Sequence, residues 1–462
     1  MRIKITNIND PLIIKEIAVI NQGYFAEWEF VDEGFQVEFT APTVNMEKKA
    51  VLKLYFDFLA KRFGEEPWGL MNAMRPNKLV HSLKRRGVSD SIIRSMLKSD
   101  YLVSDTKLDL LLDVANRQLA IIPDLYELQA AVSIYIGIPF CPTRCAYCTF
   151  ATYAHAPNRK WVTPFLDALH AEIEIIGTYL KEHKIPVTTL YLGGGTPTML
   201  DAGELEQLLK FVQIHIGLTR ELTVEAGRPD SLSSEKLAIL KKFNVNRISI
   251  NPQSFNQQTL DTIGRHHSVE SVTEQFNAAK NLAIDNINMD LIVGLPGETP
   301  KELDHSLSQI KKLQPESITV HMLAFKRQSE LTAGRELYTV ASKETLIKMA
   351  QMTYDFAADT NYLPYYLYRQ KNIAGNLENI GYAKPGYACQ YNILMMEEAQ
   401  NVLGLGVGAS SKFLIGESVH NPKDLKTYID NFSEYAKRKL DLLALSHRIG
   451  AKAFVYNEDS AE

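Results

Sequence analysis

The chain has 462 residues, 45% hydrophobic and 23% charged, and its 50 Lys and Arg nearly balance 54 Asp and Glu for a formal charge of −4. That composition excludes a disordered chain, and so small a net charge provides no global field for a nucleic-acid partner. No run reaches the roughly 18 uncharged apolar residues of a membrane span, and the opening "MRIKITNINDPLIIKEIAVI" lacks a continuous apolar h-region, so the chain reads as cytoplasmic.

In chain order, residues 1–130 read as an α+β domain of unknown role. "RIKITN" and "FAEWEFVDEGFQVEFT" alternate as antiparallel strands would, with Glu33-Gly34 as the turn. "MEKKAVLKLYFDFLAKRF" places Val51, Leu52, Tyr55, Phe58 and Leu59 at helical spacing. Two shorter helices are expected around Lys78 to Arg86 and Asp90 to Lys98, where the basic run at 84–86 suits a solvated helix end.

From about Ala131 strands alternate with helices. "VSIYIGI", "VTTLYL", "LTVEA", "NRISIN", "INMDLIVGL" and "SITVHM" read as strands. Between the first two, Phe165, Leu166, Leu169, Ile173, Ile176 and Leu180 form one helical face. "TPKE" at 299–302 predicts a capping box, with Thr299 as N-cap, Pro300 at N1 and Glu302 at N3. Six strand–helix units imply a parallel sheet with right-handed crossovers, either an open doubly wound sheet or an incomplete barrel. The unusual residues favour the barrel. The cysteines follow strand one, "GGGT" (Gly193 to Thr196) follows strand two, and Glu225 ends strand three. Gln253 follows strand four, and Asp290 sits in strand five. A site assembled on the carboxyl ends of many strands belongs to a barrel, whereas an open sheet gathers its site at one switch point. The fold class expected is therefore α/β, a partial (β/α)6 barrel over 131–340, with the α+β region before it and a small substrate-covering region over 341–462.

Three of the four cysteines, Cys141, Cys145 and Cys148, stand in the spacing C-x3-C-x2-C within "IGIPFCPTRCAYCTFATY". So few cysteines in so long a chain point to metal or redox use, not to a disulfide framework. Three thiolates can hold three irons of a [4Fe–4S] cube and leave the fourth iron to a non-protein ligand. The same residues also suit a zinc site with His155 as fourth ligand, or a redox pair at Cys145 and Cys148. Cys389 lies far from the triplet and reads as a small buried apolar residue.

With Tyr147 before the last cysteine, the triplet resembles the radical S-adenosylmethionine (SAM) superfamily. "YLGGGTPT", "NPQSFNQQTLDTIGRHHS" and "NMDLIVGLPGET" narrow the resemblance to the oxygen-independent coproporphyrinogen III oxidase group. "CPTRCAYCTF", "EAGRPDS" and "GNLENIGYAKPG" look most like its HemZ branch, and the resemblance spans about residues 45–420. It implies a radical SAM barrel, a [4Fe–4S] cluster, SAM chelating the open iron, and a low-potential electron donor such as flavodoxin or ferredoxin. The cysteines would then be catalytic as well as metal ligands. Glycines 194 and 195, with Thr196, would let the backbone approach the methionine ammonium. Asp290 and Gln253 would hold the ribose, Arg265 would pair with the methionine carboxylate with Glu225 as its orienting counter-charge, and Tyr135 and Tyr147 would line the cofactor.

The implied reaction is decarboxylation of coproporphyrinogen III to protoporphyrinogen IX. Haem binding by a chaperone, or another radical SAM reaction on a tetrapyrrole, are the alternatives. The best-understood oxidases of the group have a further cysteine where this chain has Phe150, a residue shared with the haem-chaperone branch. A tetrapyrrole with propionates calls for aromatic walls and cations, and residues 361–392 offer seven tyrosines with Arg369, Lys371 and Lys384. Arg228, His266 and His267 would be further candidate propionate partners, by their place beside the SAM motifs that the resemblance assigns.

Overall fold

The computed structural model describes residues 1–449 except 26–27, 43–45, 327, 371–372 and 374–375. The N-terminal region opens with β1 (Arg2–Thr6), α1 (Pro11–Tyr24), β2 (Glu29–Phe30), β3 (Val37–Thr40) and α2 (Lys48–Phe63). Helix α1 starts where Asp10 accepts from the Leu12 amide and Pro11 fills the first turn, and it buries Ile13, Ile17 and Ile20 on one face. That face meets Val51, Leu52, Tyr55 and Leu59 of α2, with Phe56 buried beside them and Phe58 partly exposed.

The antiparallel expectation for these strands is corrected. β2 and β3 flank β1 on opposite sides and both run parallel to it. Helix α1 accounts for β2: it carries the chain back along the sheet, so β2 starts in the direction of β1, and residues 31–36 then cross to the other side of β1 before β3. Gly34 does adopt φ +65° at the expected turn, without making a hairpin. Three helices follow, α3 (Asn77–Arg85), α4 (Asp90–Tyr101) and α5 (Asp105–Ile121). Lys84 in the last turn of α3 pairs with Asp90.

The six expected parallel strands are present. They are β4 (Val132–Ile138), β5 (Val187–Gly194), β6 (Glu221–Glu225), β7 (Arg247–Ser249), β8 (Ile287–Val293) and β9 (Ser317–Met322). Their connecting helices are α6 (Val162–Glu182), α7 (Ala202–His215), α8 (Ser234–Lys242), α9 (Val269–Asn281) and α10 (Pro300–Leu313). The strands lie side by side in chain order, so this part of the sheet has no switch point. The α6 face buries the residues its periodicity named, and α10 begins with the Thr299–Glu302 capping box.

Residues beyond 341 extend the same sheet at both edges. After α11 (Lys343–Asp359), strands β10 (Leu363–Tyr368) and β11 (Asn379–Ala383) add antiparallel beside β9. After α12 (Gln390–Met396), β12 (Asn401–Gly406) pairs parallel with β4, and β13 (Ser410–Lys412) and β14 (Ser418–His420) close that side. The last helix, α13 (Leu425–Ile449), packs along α6 through a fully buried Lys439–Glu172 pair.

Alternation along the strands fixes what faces where. Ile134, Ile136, Leu190, Leu192 and Val224 point outward into the helix layer, leaving Tyr135, Tyr191, Glu225, Ser249, Asp290 and His321 for the other face. Helix α12 plugs the barrel beneath them. Glu221, at the start of β6, accepts from the Gln390 and Tyr391 amides at 2.8 and 3.1 Å and from the Cys389 thiol at 3.1 Å. Arg247, at the start of β7, donates to the Tyr387 carbonyl at 3.2 Å. With the amino end stopped in this way, the remaining space lies at the carboxyl ends.

Candidate active site

The cysteine loop leaves β4 and is stitched down on both sides. Phe140–Cys141 pairs with Tyr153–Ala154, the Ala146 amide donates to Ile263, and its carbonyl accepts from Leu331. Thr143 donates to the Gly264 carbonyl at 2.9 Å. All three thiols are free; Cys145 is buried and the other two are partly exposed. Burial pushes the Cys141 thiol up to about 11 and raises Cys148 as well. Such thiols are poor nucleophiles, but they give up their protons to a metal. Arg228 and Arg265 bring Nη1 to 3.8 and 3.9 Å from the Cys145 sulfur. His155 turns its ring edge-on to Phe140. Among the described residues no three His, Cys, Asp or Glu side chains converge on one metal ion.

The glycine run packs directly on this loop. Gly194 takes φ +104°, open to glycine alone at little cost, and a Cβ on Gly195 would come within 2.6 Å of the Phe140 carbonyl. The Gly195 and Thr196 amides donate to Ile138 and Phe140 at 2.7 and 2.8 Å, and the Thr196 hydroxyl lies 3.4 Å from the Cys141 sulfur.

Beside the loop a cavity of about 310 Å³ opens over the strand ends. Of the expected residues it joins Tyr147, Cys148, Glu225, Gln253 and Asp290. Asp290 accepts from Asn251 at 2.8 Å and Asn288 at 2.7 Å, with His321 Nε2 3.8 Å away. Burial alone would raise its carboxyl, but His321, Asn288 and Thr319 outweigh burial and hold it below its ordinary value. Gln253 adopts φ +66°, and its buried Oε1 has no partner among the described residues. Glu225 accepts from the Tyr191 hydroxyl at 2.6 Å. Burial, reinforced by Asp290, pushes it up to about 7 against that hydrogen bond.

The expected Glu225–Arg265 pairing is replaced by other contacts. Arg265 is held behind Cys145 by the Gly227 and Asn251 carbonyls, while Glu225 points inward from the end of β6 to Tyr191. Arg228 is bidentate to Asp230 at 3.0 and 2.9 Å. His266 is exposed, whereas His267 is buried with both ring nitrogens unpartnered and is pushed down to about 3 by burial and by Arg265 and Arg228. Tyr135 stacks at 6.0 Å on Tyr191, which stacks at 4.7 Å on Tyr391. Arg369 lies over the Trp68 ring at 5.0 Å, lining a second and larger cavity. Lys384 donates to the Gln314 carbonyl at 2.8 Å. Lys371 falls outside the described residues.

Tyr191, His321 and Lys326 also line the smaller cavity and were not singled out in the sequence, whereas Tyr366 and Tyr368 come to it from the tyrosine-rich segment 361–392. Strand alternation carries the signal for Tyr191 and His321, since each stands two residues from an inward polar or glycine position. No local pattern marks Lys326.

Three thiols in one loop, a buried amide oxygen without a partner and a carboxylate held ionised fit an iron–sulfur cluster with a hydroxyl-rich organic ligand beside it. Residues 135–310 match the model of the Radical SAM superfamily. Over 405 residues the chain is 47% identical to the oxygen-independent coproporphyrinogen-III oxidase-like protein HemZ of Bacillus subtilis, covering 86% of this chain and 81% of that one. The chain belongs to the radical SAM superfamily. The heme chaperone HemW of Bacillus subtilis is 32% identical over 65% of this chain and 76% of its own length. The solved structure of coproporphyrinogen III oxidase (HemN) from Escherichia coli, a radical SAM enzyme, superposes with a TM-score of 0.55 at 23% identity. That match covers 69% of this chain and 72% of the other, and it shows the shared fold. Radical SAM membership brings a [4Fe–4S] cluster and SAM, and Cys141, Cys145 and Cys148 stand in the family spacing. Among the described residues no helix is long and apolar enough to cross a membrane.

Proposed function

We propose that the chain decarboxylates two propionates of coproporphyrinogen III to vinyl groups without oxygen, giving protoporphyrinogen IX. One observation carries this reading: a single cavity joins Cys148, Gln253 and Asp290 to a wall of Tyr366, Tyr368 and Lys326. The first group suits the cofactors, and the second suits the propionate-bearing edge of a ring that reaches in from outside this cavity. The HemZ-like sequence over most of the chain supports the same reaction.

The residues divide the work as follows. Cys141, Cys145 and Cys148 would hold three irons, and Arg228 and Arg265 would offset the negative charge at the Cys145 sulfur. Gly194 and Gly195 keep a Cβ-free backbone against the cluster loop, and Thr196 sets its hydroxyl beside the Cys141 sulfur. Asp290 would accept from the ribose hydroxyls and the free Gln253 Oε1 would take another; Tyr147 would flank the cofactor, with Tyr135 behind it in the stack on Tyr191. When bound, the cluster and SAM supply a 5′-deoxyadenosyl radical, the hydrogen-atom acceptor this chemistry needs. Each propionate gives up a β-hydrogen and CO2, and the leftover electron passes to an external acceptor. Lys326 neutralises a carboxylate at the cavity wall, and the tyrosines exclude water from the ring. A low-potential donor such as flavodoxin or ferredoxin would supply the electron the cluster needs.

A second reading, haem binding and transfer, is favoured by Phe150, which is 62% exposed at the cavity edge where the best-understood oxidases of the group have a cysteine, and by the HemW likeness. Anaerobic incubation with coproporphyrinogen III, SAM, reductant and an electron acceptor separates the two. Loss of two carboxyl groups by mass supports the oxidase; unchanged coproporphyrinogen with stable haem binding supports the chaperone.

A further inference from the structure

The larger cavity, about 920 Å³, lies between the N-terminal region and the loops that follow β9. Tyr24, Phe25, Trp28 and Phe56 form its N-terminal wall; Phe325, Arg335 and Arg369 face them. It shares a partition with the smaller cavity. Ala324 and Lys326 line the small one while Phe325, between them, lines the large one. Gln370 lines both, and a β-bridge from Ala324 to Ile373 forms part of the partition.

Volume decides what each cavity takes. At about 310 Å³ the smaller one stands at the bottom of the range for small-ligand sites, roughly 300 to 1,000 Å³, so it has room for SAM but not for SAM and a macrocycle together. The larger one stands near the top of that range. Its lining carries both signs: Glu66 is paired with Lys343 and Glu344 lies beside them, while Arg335 and Arg369 stand by the aromatic wall. Arg335 lies over the Phe325 ring at 4.5 Å, with no carboxylate in ion-pair distance among the described residues. The buried Tyr24 hydroxyl and Arg369 Nε also have no hydrogen-bond partner there. Aromatic faces combined with free donors and an unpaired guanidinium suit a flat ring that carries carboxylates.

We infer that residues 1–130 are part of the tetrapyrrole site: the body of a propionate-bearing tetrapyrrole lies in the larger cavity, against Trp28 and Arg335, with one edge reaching past Gln370 to the smaller one. This rests on the functional reading above and adds where the ring binds and which region holds it. Coproporphyrinogen and haem share this chemistry, so the test carries both.

Reconstituted full-length protein is titrated with coproporphyrin III, the stable oxidised ring, and separately with haem, following the ring absorbance; SAM binding is measured in parallel. Trp28→Ala and Arg335→Gln should each weaken whichever tetrapyrrole the wild type binds by about fivefold to thirtyfold, the loss of a stacked ring or a charge-assisted contact, and leave SAM affinity unchanged. Arg335 is exposed, so its variant folds even if Trp28→Ala does not. Wild-type affinity in Arg335→Gln and in any folded Trp28→Ala protein would overturn the inference while leaving the functional reading standing. A wild type that cleaves SAM but binds neither ring would overturn both.

Discussion

The Gln253 amide donates to the Asp290 carbonyl at 2.9 Å, and the Ile292 amide returns to the Gln253 carbonyl at 3.0 Å. This exchange sews Gln253 onto β8 in a left-handed conformation, which costs a non-glycine residue about 1 to 2 kcal/mol. Strain of that size beside an unpartnered side-chain oxygen marks a position kept for binding rather than stability. Gln253→Gly should therefore stay within about 1 kcal/mol of wild type in denaturant unfolding, because relief of strain offsets glycine's entropy. Gln253→Ala should be less stable than the glycine variant. Both should bind SAM more weakly, as should Asp290→Ala, which should lose about 1 to 3 kcal/mol by calorimetry. Undiminished SAM affinity in all three would remove Gln253 and Asp290 from the cofactor site.

Anaerobic reconstitution should load four irons and four sulfides, because three thiols leave one iron open. Alanine at Cys141, Cys145 or Cys148 should abolish the absorbance near ~400 nm expected of the cluster. Cys389→Ala should keep it, since that thiol donates to Glu221 on the plugged side of the barrel, and should cost about 1 to 2 kcal/mol of stability. Stoichiometric zinc without iron would contradict the cluster assignment.

The six strands of the barrel were legible because each is a short apolar or alternating run bounded by turn residues. So were Cys141 to Cys148, Gly193 to Thr196, Gln253 and Asp290, which recur at strand ends. Long-range contacts were not legible. Nothing near Tyr191 in sequence announces Tyr391, and Glu225 and Arg265 prove to face different neighbours although both sit by SAM motifs. The parallel direction of β2 depends on α1, whose apolar face reads locally as mere alternation, and that of β3 on the crossing at 31–36.

Burial pushes the Glu298 carboxyl up to about 7, with Ser254 opposing. The folded state thus keeps a proton that the unfolded chain releases near 4.5. The resulting stability is complete below about 4.5 and is lost as pH rises through about 7. Glu298→Gln should match wild type near pH 5 and become the more stable protein by pH 8. Parallel stability curves for the two across that window would contradict the assignment.

Lys107 of α5 pairs with Glu378, which also accepts from Trp68 at 2.9 Å and Tyr354 at 2.8 Å, tying the N-terminal region to the far edge of the sheet. Lys107→Met should cost about 3 to 5 kcal/mol by leaving a buried carboxylate unpaired, and adding Glu378→Gln should recover much of it. If the single variant unfolds at wild-type denaturant concentration, the pair does not join the two regions energetically.

The most direct measurement of the proposed chemistry uses coproporphyrinogen III deuterated at the propionate β-carbons. Turnover is run anaerobically with SAM, reductant and an electron acceptor, and the 5′-deoxyadenosine and tetrapyrrole products are weighed by mass spectrometry. Deuterium in the 5′-deoxyadenosine, with two carboxyl groups lost from the ring, is the expected result, and Cys145→Ala should abolish both. Unlabelled 5′-deoxyadenosine with intact coproporphyrinogen would contradict the decarboxylase reading.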